Sequence, residues 1–187
     1  MKDEHRKELI RERNNLSKSE VLEKSNIIKK RLFEMDEFKQ ASTILFYVSY
    51  DNEVHTHDMI KESMLNGKKI VVPVTDKEKK KLILSELKNW NDLTHNAYNI
   101  LEPRRECIIE VSLDSIDLIL VPGIGFDKNG HRIGHGRGYY DKLLESDTTP
   151  SIGLAFHLQI LDKINVEKHD APIHKIVTEK EIIYCKH

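Results

Sequence analysis

The chain has 187 residues, 39% of them hydrophobic and 33% charged, and carries a net charge of -1. This suits a soluble globular protein with one domain, spanning 1–187, and a buried core. The balanced charge argues against a general nucleic-acid binder but leaves room for a local cationic pocket; no apolar run reaches the roughly 18–20 residues that cross a bilayer.

Residues 1–40 read as helical. The opening MKDEHRKELIRERNN is charged throughout and lacks the apolar core of a signal peptide, so a cytoplasmic location is expected. Leu9, Ile10, Arg13 and Leu16 mix apolar and basic positions at helical spacing. Ser17-Lys-Ser-Glu20 has capping-box form, and a second helix starts there. Its Val21, Leu22, Ile27, Ile28, Leu32 and Phe33 suit either the core or a seam with a partner helix, the core being preferred.

Thr43–Val48 is a β-prone run and reads as a buried strand. Thr56 is placed to cap a helix over 57–66, closed by Gly67, and Lys69–Val74 is a second buried strand. Strand, helix, strand at this spacing predicts a parallel βαβ unit. DKEKKK at 76–81 is a solvated turn. Leu82–Leu87 suits a short strand and Tyr98–Pro103 an extended loop, but most of 82–116 has no clear pattern. Strands follow at 117–122 and 151–156, a helix starts near Gly138, and short strands are expected at 173–178 and 181–184. The alternation predicts an α/β three-layer sandwich around a mostly parallel sheet, with an N-terminal helical segment. Cys107 and Cys185 stand far apart in no metal-type spacing and read as reduced thiols.

The most informative stretch is VPGIGFDKNGHRIGHGRGYYDKLL, residues 121–144, which holds six of the eight glycines. Gly134-x-Gly136-x-Gly138 leads straight into the expected helix, and exposed N–H groups in such a loop suit an anion, phosphate above all. Arg132 and Arg137 flank these glycines and add guanidinium groups shaped for phosphate oxygens. The spacing is neither a Walker loop nor a dinucleotide fingerprint, so a tight turn with solvated arginines is the plain alternative. Asp141 beside bound phosphate calls for a bridging cation, magnesium by habit, unless it only compensates charge at a helix start.

PGIGFDKNGHRIGHGRGYYD resembles the signature of the 5-formyltetrahydrofolate cyclo-ligase (methenyltetrahydrofolate synthetase) family. KDEHRKE, FYVSYDNEVHTHDMI, GKKIVVPV, YNILEP and HDAPIHKIVTE fall in the family's order, so the resemblance covers nearly the whole chain. It implies a fold like that of the sugar-phosphate isomerase/CoA-transferase-like group. It also implies use of ATP and magnesium to turn 5-formyltetrahydrofolate into 5,10-methenyltetrahydrofolate through a phosphorylated formyl oxygen. Carried over residue by residue, ATP meets Lys2, Arg6, Arg132, Ile133, Gly134, His135, Gly136, Arg137, Gly138, Tyr139 and Tyr140. Arg137, Tyr139 and Asp141 serve catalysis, and magnesium falls to Asp141 and Asp170. The folate falls to Val48, Glu53, His135 and Tyr139, with Tyr98 and Ile100 along its path. A monomer or weak homodimer without nucleic-acid or membrane partners is expected.

His55, His135 and His174 depart from the family's pattern, and their spacing shows no metal set. Protonated, His135 would assist phosphate binding, with a pKa near that of free imidazole or above. Three other readings remain at this stage. They are a divergent member acting on another pterin or small amide, a non-catalytic nucleotide- or folate-binding module, and a sugar-phosphate isomerase with Glu53 as base.

Overall fold

A computed structural model describes residues 2–96, 98–145, 148–167 and 170–186. Three helices open the chain: α1 (Lys2–Asn14), α2 (Lys18–Glu34) and α3 (Asp36–Gln40). Then come β1 (Thr43–Leu45), α4 (His57–Leu65), β2 (Lys69–Asp76), β3 (Lys81–Glu86), β4 (Leu93–His95), β5 (Leu101–Pro103) and β6 (Leu118–Val121). The chain continues through β7 (Gly125–Asp127), β8 (Arg132–Ile133), α5 (Tyr139–Leu144), β9 (Ser151–Leu154), β10 (Ile160–Leu161), β11 (Lys175–Val177) and β12 (Ile182–Tyr184).

The central sheet has seven strands in the order β12-β11-β9-β6-β1-β2-β3. Its four inner pairings are parallel, and the edge strands β3 and β12 run antiparallel to their neighbours. The apolar runs at the centre are buried on both faces, as parallel strands require. Ile44, Leu118, Leu120 and Ile70 face one cluster with Ile28 and Leu32 of α2, Phe38 of α3 and Ile60 of α4. Leu45, Ile119, Val121 and Val71 face the other, with Leu144 of α5 and Phe126 of β7. The βαβ unit at 43–76 is present, with Ile44 opposite both Ile70 and Leu118.

The capping box at Ser17 and Glu20 forms in both directions, and Val21, Ile28 and Leu32 point into the core while Leu22 and Ile27 stay exposed. The Thr56 cap does not form. Its hydroxyl instead donates to Tyr47 O at 2.7 Å and accepts from Ser49 N at 3.0 Å, tying the loop after β1 to the start of α4. That tie explains why β1 is shorter than expected. Phe46 makes one more bond to Val71 O at 2.9 Å, and the chain then leaves the sheet. In the unreadable stretch, Leu101–Pro103, expected as loop, pairs with β4 in a small hairpin.

A second sheet, β10-β7-β8, carries α1. Leu9 packs with Ile124, Ile133 and Ile164. A Cβ on Gly125 would lie 2.5 Å from Leu9 Cδ1, so a larger residue there would push the Leu9 side chain aside. Among the described residues no helix is long and apolar enough to cross a membrane.

Candidate active site

β1 and β6 are neighbours, but the chain leaves β1 toward β2 on one side and later returns to β6 on the other. In open α/β sheets the crevice beyond the carboxyl ends of such strands is where ligands bind. A cavity of about 940 Å³ opens there, bounded by Val48 after β1, Thr75 in β2 and Pro122 after β6.

Every residue that the resemblance singled out lines this cavity. Lys2 and Arg6 come from α1, and residues 132–141 from β8, the glycine loop and α5. Val48 and Glu53 come from the loop after β1, Tyr98 and Ile100 from the β4–β5 turn, and Asp170 from beyond β10. Docking of α1 on the second sheet is what brings Lys2 and Arg6 to a loop more than a hundred residues away. Arg6 Nε donates to Gly134 O at 2.9 Å.

The segment's glycines divide by role. Gly136 and Gly138 have φ of +82° and +65°, a region that other residues enter only with strain, and no neighbour closer than 3.7 Å crowds either position. They hold the loop open toward the cavity. Since α5 has only six residues, its dipole adds little, and the positive field on this side of the cavity comes from the cations.

Two of the cations, Lys2 and Arg132, are paired with the carboxylates that the resemblance gives to magnesium. Lys2 Nζ lies 2.5 Å from Asp170 Oδ2 and 3.4 Å from Glu167 Oε1. Arg132, with only 4% of its side chain exposed, donates to Asp141 Oδ1 at 2.8 Å and to Ala171 O at 3.3 Å. Burial pulls the Arg132 pKa down, and Asp141, Tyr140 and Asp170 each push it back up. Arg132 therefore sits within the field of both carboxylates. Hard oxygen donors on an open wall fit magnesium, which takes one or two carboxylates and fills its other positions with phosphate oxygens and water.

The lining also includes buried groups from the loop after β1 and from α5. Glu53 is 6% exposed, and burial pushes its carboxyl up to about 7, with Arg13 pulling the other way. Glu53 Oε2 accepts from Tyr50 N at 3.1 Å. Tyr47 donates to Val54 O at 3.1 Å, whereas the buried Tyr140 hydroxyl has no partner among the described residues. At the mouth, Tyr98 lies between Lys77 Nζ at 4.3 Å and the Arg137 guanidinium at 5.4 Å from its ring centre.

The histidines separate. Only His135 lines the cavity; His55 lies in a shallower groove with Asn52 and Leu22, and His174 Nδ1 is 2.8 Å from Ser151 Oγ. Burial pushes the His135 pKa down, and Arg13, Arg6 and Arg137 push it further the same way. The expectation of a pKa at or above that of free imidazole is thus corrected: the ring, 3.1 Å from the Tyr50 hydroxyl, takes up a proton less readily than free imidazole. His135→Ala is expected to leave the pH dependence of ATP affinity between pH 6 and 8 unchanged, within about twofold, because burial and three guanidiniums disfavour the charged ring. Calorimetric titration at both pH values checks this, and a selective loss at pH 6 would restore the charged role.

The profile of the 5-formyltetrahydrofolate cyclo-ligase family matches residues 1–179. The chain belongs to that family. It is 29% identical over 175 residues to the 5-formyltetrahydrofolate cyclo-ligase of Mus musculus, covering 88% of this chain and 86% of the relative. To that of Saccharomyces cerevisiae it is 35% identical over 156 residues, covering 70% and 72%. An NMR structure of Aquifex aeolicus 5,10-methenyltetrahydrofolate synthetase superposes with a TM-score of 0.86 at 30% identity, over all of this chain and 93% of the other.

The family match takes in every cavity residue from Lys2 to Asp170. Sequence reasoning missed Tyr50 and Lys77, which lie in stretches read as loop and solvated turn, and the buried Arg13. The spacing Lys2, Arg6, Leu9, Arg13 marks one helical face and was the available signal for the last of these.

Proposed function

We propose that this chain is an ATP- and magnesium-dependent enzyme that converts 5-formyltetrahydrofolate to 5,10-methenyltetrahydrofolate. The observation that carries the reading is one cavity, in a member of this family, whose lining joins the cations Lys2, Arg6, Arg132 and Arg137 to the buried Glu53 and several tyrosines. A volume of about 940 Å³ is at the upper end for a single ligand, in keeping with two substrates side by side. We read the chain as one catalytic domain of the sugar-phosphate isomerase/CoA-transferase-like type, working as a monomer or weak homodimer.

An amide oxygen is a poor leaving group, and phosphate is a good one. The formyl oxygen attacks the γ-phosphorus of ATP and ADP departs. The 10-nitrogen then attacks the activated carbon and loses its proton, and inorganic phosphate leaves with the former formyl oxygen. The protein's part is to position the reactants and balance charge. Lys2, Arg6, Arg132 and Arg137 bind the phosphates, and Gly134–Gly138 lets the backbone approach them. Val48, Glu53, His135 and Tyr139 face the folate, with Tyr140 beside the phosphate loop. Asp141 and Asp170 would hold magnesium, which when bound offsets phosphate charge. As Lys2 and Arg132 turn toward phosphate oxygens, their carboxylates become available.

The test is spectrophotometric. Purified protein with 5-formyltetrahydrofolate, ATP and magnesium is expected to build up the methenyl chromophore, and EDTA or omission of ATP to abolish it. Binding of folate without any absorbance change, in folded protein, would favour a binding module instead.

A further inference from the structure

Arg13 stands at the far end of the α1 face that carries Lys2 and Arg6, yet it does not line the cavity. It is only 4% exposed, and its Nε is buried without a hydrogen-bond partner among the described residues. A buried guanidinium with an unpaired nitrogen is a costly way to fill space, and a leucine or methionine would pack there without desolvating a charge. Such a residue is retained where its charge is used.

Arg13 lies beside the loop that lines the proposed folate site. The loop that carries Glu53 is fastened to α1 at this residue, because Asn52 Nδ2 donates to Arg13 O at 3.3 Å. Glu53 is equally buried, and Arg13 exerts the largest charge–charge influence on it. The other groups that act on or respond to Glu53 are Asp51 on its own loop, Tyr47 and Tyr50 beside it, and Tyr140 from α5. Of these, Asp51 adds only repulsion, and the tyrosines are neutral near pH 7 because burial and the Glu53 charge raise their pKa values. Arg13 also acts on Tyr47, Tyr50 and His135, the last two together with Arg137.

We propose that Arg13 is a positioning residue for folate recognition, supplying a buried positive charge beside the loop that carries the buried Glu53 carboxylate. This rests on the folate reading of Glu53. Arg13 touches no reacting atom in this scheme; it acts through Glu53.

The experiment follows the Glu53 carboxyl carbon by NMR across pH 5–9, assigned by its loss in Glu53→Gln. A neighbouring opposite charge lowers a carboxyl pKa, by about 1–3 units at close range. The Glu53 midpoint is therefore expected to rise by at least about 1 unit in Arg13→Gln and to stay near the parent value in Arg13→Lys. The kcat/KM for 5-formyltetrahydrofolate at pH 7 should fall about tenfold in Arg13→Gln and recover toward high pH, with the KM for ATP unchanged. A Glu53 midpoint that does not move in Arg13→Gln overturns the inference. Should Arg13→Gln alone fail to fold, Arg13→Gln/Glu53→Gln is expected to melt cooperatively again, and failure of that rescue overturns it as well. The folate reading is judged separately: Glu53→Gln with unchanged folate KM would sink that reading, while the carboxyl titration still decides the coupling.

Discussion

Asp141→Asn is expected to lower kcat by about 10²–10³-fold while leaving 5-formyltetrahydrofolate affinity within about threefold. The side chain keeps its shape and loses only its charge, which in the proposed scheme holds the cation on the phosphates. The apparent magnesium requirement should therefore rise about 10- to 100-fold, a shift that a folding defect alone would not produce. A second effect follows from Arg132, which donates to Asp141 at 2.8 Å and is almost fully buried. Breaking a fully buried ion pair costs about 3–5 kcal/mol. Here Asp141 is 21% exposed and Asp170 still offsets Arg132, so about 2 kcal/mol is expected, read as a lower melting temperature. Steady-state kinetics against magnesium concentration, beside thermal unfolding, separate the two effects. Activity within twofold of the parent at all magnesium levels would remove Asp141 from the site.

The sheet was largely legible because its signal is local. Ile-Leu at 44–45, Ile-Val-Val at 70–72 and Leu-Ile-Leu-Val at 118–121 are apolar on both faces, which only an internal parallel strand requires. The stretch 82–116 was opaque because its short strands pair at the sheet edge or with each other, where half-exposed residues such as Leu93 and Leu101 leave no clean period. Thr56 shows a different limit: a good capping residue was taken by Tyr47 O and Ser49 N, a tertiary competition invisible in sequence. The same holds in the cavity. The glycine loop was readable as a phosphate-type loop, but the pairing of Arg132 with Asp141, and of Lys2 with Asp170, joins segments that only the docking of α1 and the second sheet brings together. The lowered pKa of His135 likewise depends on burial and on Arg13 and Arg6 from α1, which loop composition alone does not reveal.

Glu53→Gln is expected to make the protein more stable at pH 8 and poorer at binding folate. The Glu53 carboxyl is raised to about 7 from an ordinary 4.5, with burial the largest cause. Between those two values the native state binds more protons than the unfolded chain, so this group lowers stability as pH rises through the window. Below about pH 4.5 the penalty is absent, and above pH 7 it is complete, at about 3 kcal/mol for the fully buried group. Glutamine mimics the protonated form at every pH. The variant should therefore melt about 6–12 °C above the parent at pH 8, with the gap closing toward pH 5. Its affinity for 5-formyltetrahydrofolate should fall about 10- to 100-fold, the value of a charge-assisted hydrogen bond. Such a residue lowers the stability of its own fold, and substrate recognition gives a physical reason for keeping it ionised in a buried wall. Melting curves of parent and variant at pH 5, 6.5 and 8, with folate titrations at the same points, test both halves. A variant no more stable than the parent at pH 8 would mean that water or a shift of the 50–53 loop relieves the carboxylate, and Glu53 would then be an ordinary ionised side chain.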